Sequence, residues 1–498
     1  MRREVLAKRR TGHDQNTVSM SHVGELSRGE PAEPAERGET IAHVDQRAVT
    51  LAMLAGFFKA NGTLPHTHPL FMHGSLYAGE PIPPKVLWRS DKKPRSDHEA
   101  SSWLTASEYQ DQHDVLQTKV AQLAQLMRLS RHTVVYSGAG ISAAVVGQAA
   151  LSGTNKVGWT GCKTAAKPTP THHSLALLGR LGLIHGWVQQ NHDGLPQKAG
   201  FPQERICEVH GSWFDPSNPV VKYSGCLKAQ ECDWMERETA TADLVLVMGT
   251  SLGGLCADQV VTECASRASQ GASLGSCIIN LQQTDVDGGM ALKISGKTDD
   301  VLALLLDELG LPRPTAHNAV SWPTTSTALV PYDASGKRLP EGSETPWMWL
   351  DLRPGARIKL TKGHNHQGAK QPNTMHIGAK KGKTFQGKVL ANVGPGNGTV
   401  SKRDEETCSF KLSIEGVPIR LGVWWLDAAA RGGPAHLPIV NQIPVMADSK
   451  DTSTVAALQV AAGRPVDRPR STNPASSNAP ARRCVAQRPV GRANICTS

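Results

Sequence analysis

Thr133–Ser142 reads TVVYSGAGIS, and the fold of the chain turns on it. Thr133, Val134, Val135 and Tyr136 are β-branched or aromatic, the composition of a buried parallel strand. Ser137, Gly138, Ala139 and Gly140 form a turn with almost no side chains. Ile141 and Ser142 are expected to open a helix that runs on through Ala143, Ala144 and Val145. A small-residue turn between strand and helix lets phosphates approach the backbone, where a helix N-terminus presents free N–H groups. Gly138, Gly140 and Ala143 fit the dinucleotide spacing G-x-G-x-x-A, although Gly-rich strand–helix turns also occur without ligands. An ordinary dehydrogenase would carry an acidic residue roughly 20 positions on, for a ribose hydroxyl. Positions 158–163 read GWTGCK instead, and no Asp or Glu occurs between Val115 and His192. Lys156, Lys163, Lys167 and Arg180 do occur there, which suits an anionic ligand.

Outward from this turn, the pattern alternates strands and helices. Leu116, Val120, Leu123 and Met127 recur at helical spacing and lead into the Thr133 strand. Pro168–Gly182 is expected to be helical, and Leu183–Gln189 a strand followed by the loop NHDGLPQKAG. Ala242–Met248 (ADLVLVM) is a continuous apolar strand ending in Gly249-Thr250-Ser251. A helix near Cys256–Ala268, a strand Ser276–Leu281 and an amphipathic helix Asp299–Leu309 complete the pattern. Such alternation predicts an α/β fold, a Rossmann-like parallel sheet with ligands at the strand C-termini. The domain plan is a disordered segment over 1–40, a loop-rich cover over 41–110 (with a short helix Val49–Ala60), an α/β domain over 111–312 and a linker over 313–345. A small all-β domain over 346–445 and a disordered basic tail over 446–498 follow. In the β domain, WMWLDL, ARIKL, GKVLANV and CSFKLSIEGVPIRLGVWWLD read as short strands, with Glu415-Gly416 as a hairpin turn. Its Trp residues are read as core.

Composition narrows the function classes. The net charge is +10, and Gly463–Ser498 alone holds seven Arg against one Asp, so most of the excess lies in the tail. Nucleic-acid contact is therefore confined to that tail. The 10 Cys have no repeating frame, which places the chain in a reducing, intracellular compartment, cytoplasmic or nuclear, with free thiols. No run of 18 apolar residues is present, so no membrane span is expected. His364-x-His366 lacks further ligands at metal spacing.

Taken together, GAGIS, QNHDGL, EVHGS, MGTSL and IINL resemble the sirtuin family of NAD-dependent protein deacylases and ADP-ribosyl transferases, in order and approximate spacing across residues 115–311. PTPTHHSLALL resembles the family's Pro-x-x-x-His helix. The resemblance implies cleavage of the nicotinamide–ribose bond of NAD, used as co-substrate, through an oxocarbenium-like state. It implies that Asn191 and Asp193 form the nicotinamide end, with Gln190 beside the ribose and His210 as general base. It assigns Gly138, Ala139, Gly140, Ile141 and Ser142 to the phosphate turn. Gly249, Thr250 and Ser251 fall to the phosphates and ribose, Asn280 to the adenine ribose and Thr298 to adenine. His192, at the variable position of its motif, receives no role.

Three departures set this chain apart. After GAGIS the family carries Pro-Asp-Phe-Arg, whereas AAVVGQAALSGTNKVGWTG stands here, with Trp159 and Lys156 as substitutes for the aromatic and the cation. The family's zinc ribbon needs two CxxC pairs, and only Cys226 and Cys232 lie between His210 and Ala242. Two thiols cannot close a tetrahedral site, so no zinc is expected and DPSNPVVKYSG replaces a shortened module. The Phe-Gly-Glu strand that pairs with an acyl-lysine peptide is missing. An enzyme passing an acyl group or ADP-ribose to a protein lysine or another nucleophile stands against a sensor that binds NAD or ADP-ribose without turnover.

Overall fold

The computed structural model describes residues 45–91, 103–147, 162–220, 227–253, 255–315, 325–361, 396–431, 433 and 435–447. The expected disordered segment 1–40, residues 448–498 of the expected tail, Lys156, Trp159, Cys226, His364, His366 and GKVLANV lie outside these residues, whereas Met446, read as tail, ends a strand. The expected loop-rich cover contains more regular structure than its sequence suggests. Helix α1 (Gln46–Asn61) opens it, capped by the Asp45 carboxylate, which accepts from the backbone N–H groups of Arg47 and Ala48. Strands β1 (Lys85–Trp88) and β2 (Glu108–Gln110) pair antiparallel.

The centre is a six-stranded sheet: β3 (Thr133–Ser137), β4 (Gly186–Gln189), β5 (Ile206–Glu208), β6 (Leu244–Met248), β7 (Gly275–Ile279) and β8 (Leu292–Ile294). Its spatial order is β5-β4-β3-β6-β7-β8, and every neighbouring pair is parallel. The strands are buried along their whole length, and Leu244–Met248 is apolar throughout, because helices cover both faces. On one face Val135, Leu246, Cys277 and Ile294 pack with α2 (His113–Leu129), α3 (Pro170–Arg180) and α7 (Thr298–Glu308). On the other, Tyr136, Val247 and Ile278 pack with α5 (Ala229–Thr241) and α6 (Gln259–Ser269), while α4 (Leu195–Lys198) is a single turn after β4. Leu116, Val120, Leu123 and Met127 are all buried, as their spacing predicts. The winding reverses between β3 and β6, which opens a crevice at their C-terminal ends, the place where open α/β sheets bind ligands.

The helix expected after GAGIS does not form among the described residues. Ala139–Ser142 is one 3-10 turn, followed by an irregular turn to Gly147. Within this turn the Gly140 N–H bonds the Gly249 carbonyl at the neighbouring strand exit.

The C-terminal part is antiparallel. Strands β9 (Thr327–Val330), β10 (Met348–Asp351) and β16 (Val445–Met446) form one sheet, in the order β16-β10-β9. Strands β11 (Arg357–Leu360), β12 (Asn397–Asp404), β13 (Ser409–Ile414), β14 (Val417–Gly422) and β15 (Ile439–Asn441) form another, in the order β14-β13-β12-β11-β15. Strand β9 thus lies in the stretch read as linker. Glu415 and Gly416 make the β13–β14 hairpin with φ of 49° and 76°, the left-handed pair such a two-residue loop needs. One expectation is corrected: WWLD is no strand but the start of α8 (Trp424–Arg431). Ala428, Ala429 and Ala430 favour helix, and helical spacing puts Trp424, Trp425, Ala428 and Ala429 all in the core.

One buried ion pair ties the cover to the sheet. Lys119 of α2 and Asp111 have fully buried side chains with Nζ 2.8 Å from the carboxylate. Lys119 also donates to the Met72 carbonyl at 3.0 Å, and Asp111 accepts from the Ser295 N–H at 2.8 Å, just past β8. Asp111→Ala strands a buried ammonium and should cost about 3–5 kcal/mol in urea unfolding. Adding Lys119→Met should restore most of that loss; a double variant as unstable as the single one would show the pair is not the cause.

Candidate functional site

The exits of β3 and β6 touch backbone to backbone. The Gly138 N–H donates to the Met248 carbonyl at 3.0 Å and the Gly140 N–H to the Gly249 carbonyl at 2.7 Å. A Cβ on Gly140 would sit 2.6 Å from the Gly249 Cα, and one on Gly249, where φ is 59°, would sit 2.5 Å from the Ile141 nitrogen. Glycine is required at both positions by this contact. Two N–H groups expected to face phosphate are thereby occupied, while Ala139 and Gly140 remain on the surface. Past Gly249 the chain stays constrained: Leu252 has φ of 51°, uncommon for a non-glycine residue. The Asn280 amide, past β7, donates to the Thr250 carbonyl at 3.0 Å and holds this turn. Asn280 is held in turn by buried Lys293, whose Nζ donates to its carbonyl at 3.2 Å. Ser251 is half-buried.

The β4 exit supplies the other side. The Asn191 amide donates to the Gly138 carbonyl at 3.0 Å and to the Ser142 hydroxyl at 3.3 Å. That hydroxyl donates to the Asp193 carboxylate at 2.7 Å, whose other oxygen accepts from the Leu195 N–H at 3.1 Å. Burial pushes the Asp193 carboxyl above its ordinary range, against the pull of the Ser142 hydrogen bond. Asn191, Ser142 and Asp193 thus form one linked set, joining the QNHD loop to the GAGIS turn. His210 follows β5, beside the QNHD loop. Burial, with nearby His192, lowers its pKa to about 4, so its ring is neutral near pH 7. His192 spends its Nδ1 on the Gly211 carbonyl at 2.8 Å.

Gln190 leads to two residues the sequence reading missed. Its amide donates to the Tyr136 hydroxyl, which donates to Asp258 Oδ1 at 2.6 Å. Thr250 extends this chain, its hydroxyl 3.4 Å from Gln190 Oε1. The available signals were the one aromatic in the strand Thr133–Ser137 and an acid soon after the MGTSL motif. Thr298 stands apart from this group. At the start of α7 its hydroxyl accepts from Thr171 of α3 at 2.9 Å, and no hydrogen bond joins it to Asn280 or Thr250 among the described residues.

No three His, Cys, Asp or Glu are grouped to hold a metal among the described residues. Cys232 is buried on α5, and the seven described cysteines are all free thiols. No helix among the described residues is long and apolar enough to cross a membrane.

Sequence comparison places this core among relatives. No family model matches the chain. It is 32% identical over 254 residues to the NAD-dependent protein deacetylase sirtuin-7 of Rattus norvegicus, covering 41% of this chain and 63% of that protein. It is 26% identical over 370 residues to the NAD-dependent protein deacetylase SRT1 of Arabidopsis thaliana, covering 62% of this chain and 75% of that protein. A solved Sir2 enzyme structure aligns with 39% of this chain and 98% of its own, at 23% identity and a TM-score of 0.34. The chain is similar to sirtuins, in a divergent form, and spans less than two thirds of the sirtuin-7 length.

Two outcomes follow from the geometry. Gly249→Ala combines left-handed strain with a backbone collision and should cost about 1–3 kcal/mol in thermal unfolding; an unchanged melting temperature would remove the contact. For His210 the folded pKa lies below the unfolded one, so the unfolded chain binds its proton first. Its stabilising contribution is whole above about pH 6.5 and is lost as pH falls toward 4. His210→Gln should therefore flatten the pH dependence of the urea midpoint in that window, and equal slopes for parent and variant would refute the assignment.

Proposed function

We propose that the α/β core is an NAD-dependent transferase that releases nicotinamide and passes an acyl group from acyl-lysine, or ADP-ribose, to an acceptor. One observation carries this reading: the linked Asn191–Ser142–Asp193 set meets Gln190 and His210 at the crevice between β3 and β6. Similarity to NAD-dependent deacetylases supports it.

The chemistry assigns each group a task. Asn191 commits its amide N–H groups to Gly138 and Ser142, and its Oδ1 has no described partner, leaving an acceptor for the nicotinamide carboxamide. Asp193 fixes Ser142 and the following turn, so the Asn191 environment is set before the ligand arrives. Breaking the nicotinamide–ribose bond leaves positive charge on the ribose ring. The acceptor nucleophile, or the carbonyl oxygen of acyl-lysine, bonds to the ribose carbon that nicotinamide vacates. In the acyl case the acyl group ends on a ribose hydroxyl and the lysine leaves as the free amine. In either case a neutral imidazole can take the proton that the nucleophile or ribose hydroxyl gives up. His210 is neutral near pH 7 because burial, with nearby His192, lowers its pKa to about 4. Gln190, Thr250 and Asn280 face the ribose and phosphate half. The acceptor is a protein lysine or another nucleophile.

Purified protein incubated with labelled NAD should release nicotinamide slowly, and deacylate generic acetyl-lysine peptides weakly or not at all. His210→Ala should slow nicotinamide release by ~10²–10⁴-fold, the usual value of a positioned base. Equal rates in parent and variant would remove His210 from the mechanism. Tight NAD binding without any product would establish the sensor reading instead.

A further inference from the structure

We infer that the C-terminal β module is a working part of the nicotinamide side of this site, and that Trp424 is the positioning residue through which it acts. The inference rests on the proposed transferase reading for its functional half only. Its geometric half stands on contacts alone.

The NHDG turn is held from the C-terminal side. Gly194 adopts φ of 62°, and a Cβ there would lie 2.8 Å from the Phe214 ring and 3.0 Å from Trp424 Cη2. The two rings meet edge to face, with centroids 5.2 Å apart. Phe214 follows the EVHGS motif in sequence, yet it is fully buried in the C-terminal core with Tyr332, Phe410 and Trp424. Its carbonyl accepts from the Gly422 N–H at 3.0 Å, at the end of β14. Next to it, the Trp213 N–H donates to the His192 carbonyl at 3.0 Å. On the far side of the Phe214 ring sits the Lys198 ammonium, 4.8 Å from the centroid, donating to the Thr164 and Ala166 carbonyls. The turn carrying Asn191 and Asp193 is therefore walled by Phe214 and Trp424, and the second of these belongs to the module.

The choice of residue at 424 also points to shape. The indole N–H of Trp424 is buried with no partner among the described residues. Burying an unpaired donor is unfavourable, so the hydrogen bond does not account for this residue, whereas the flat ring against Gly194 does. A phenyl ring of similar flatness should substitute, and an aliphatic stub should not. With the ring gone, Gly194 regains rotational freedom, and Asp193 and Asn191 lose their fixed distance from Ser142. The adenosine half, held by Gly249, Thr250 and Asn280, contacts none of these rings in the hydrogen-bond network.

The test uses the full chain. Trp424→Ala should lower kcat for nicotinamide release at least tenfold while ADP-ribose affinity stays within twofold, and Trp424→Phe should recover most of the loss. Ile414→Ala removes a buried module side chain at the opposite end of the β13–β14 hairpin and should leave both quantities unchanged. Hydrogen exchange at 191–198 should quicken at least tenfold in Trp424→Ala, with 134–137 and 245–248 unaltered. Should the alanine variant fail to fold, Trp424→Leu is read by the same criteria. Unchanged exchange at 191–198 would overturn the positioning claim, as would equal losses of ADP-ribose affinity and kcat, or an Ile414→Ala effect as large. A parent protein that releases no nicotinamide would refute the transferase reading, and the exchange measurement would still decide the role of Trp424.

Discussion

The contact between Gly140 and Gly249 is the constraint on which the site depends. Two strands that leave a parallel sheet side by side normally diverge, because their side chains need room. Here both exits are glycine, and the backbones approach until an N–H of one bonds a carbonyl of the other at 2.7 Å. That closure brings Ser142 within reach of Asp193, and it sets Thr250 against Gln190. Everything placed around the crevice is referenced to this one join. It also changes the meaning of the glycines: they serve a backbone-to-backbone contact as much as any phosphate.

Two kinds of polar group meet at the crevice, and burial treats them oppositely. The Asp193 carboxyl is pushed up by desolvation and kept functional by a hydroxyl and an N–H that both prefer the anion. The His210 imidazole is pushed down by the same burial and remains an unprotonated acceptor. Burial thus raises the carboxyl and lowers the imidazole, since in each case it disfavours the charged form.

Much of this was legible in the sequence for a physical reason. Buried parallel strands such as Leu244–Met248 must be apolar throughout, and a turn that lets backbones touch must be glycine. Motif order then aligned Asn191, Asp193 and His210 with a known chemistry. What stayed hidden required tertiary context. The expected GAGIS helix stays a single 3-10 turn, its Gly140 N–H bonded to the Gly249 carbonyl at the exit of a strand far along the chain, a neighbour that local propensity cannot register. WWLD read as a strand because two Trp residues carry strand preference, while the helix is decided by Ala428–Ala430 and by burial of one face. Tyr136 and Asp258 are 122 residues apart in sequence and meet only through the fold. Thr298 shows the reverse case: it was named by motif position, and its hydrogen bond goes to Thr171.

The missing family segments fall on one side of the switch point. The Gly249–Ser251 turn, Asn280 and Lys293 descend from β6, β7 and β8, and all of these are present and mutually bonded. The departures cluster beyond β3 and β5, where the family's ribose-handling segment and ribbon would stand. On that side the described residues beyond β5 include the loop from Gly211 to Val220, which closes on itself through the Ser212 N–H to the Asn218 carbonyl at 2.8 Å. Such a loop cannot by itself hold an αL glycine at Gly194 against a fixed wall. The wall is Phe214 and Trp424, and it exists because β14 ends at Gly422, where a Cβ would lie 2.3 Å from the Trp424 ring. The α/β core and the antiparallel sheets therefore share a core residue at the loop that carries Asn191 and Asp193.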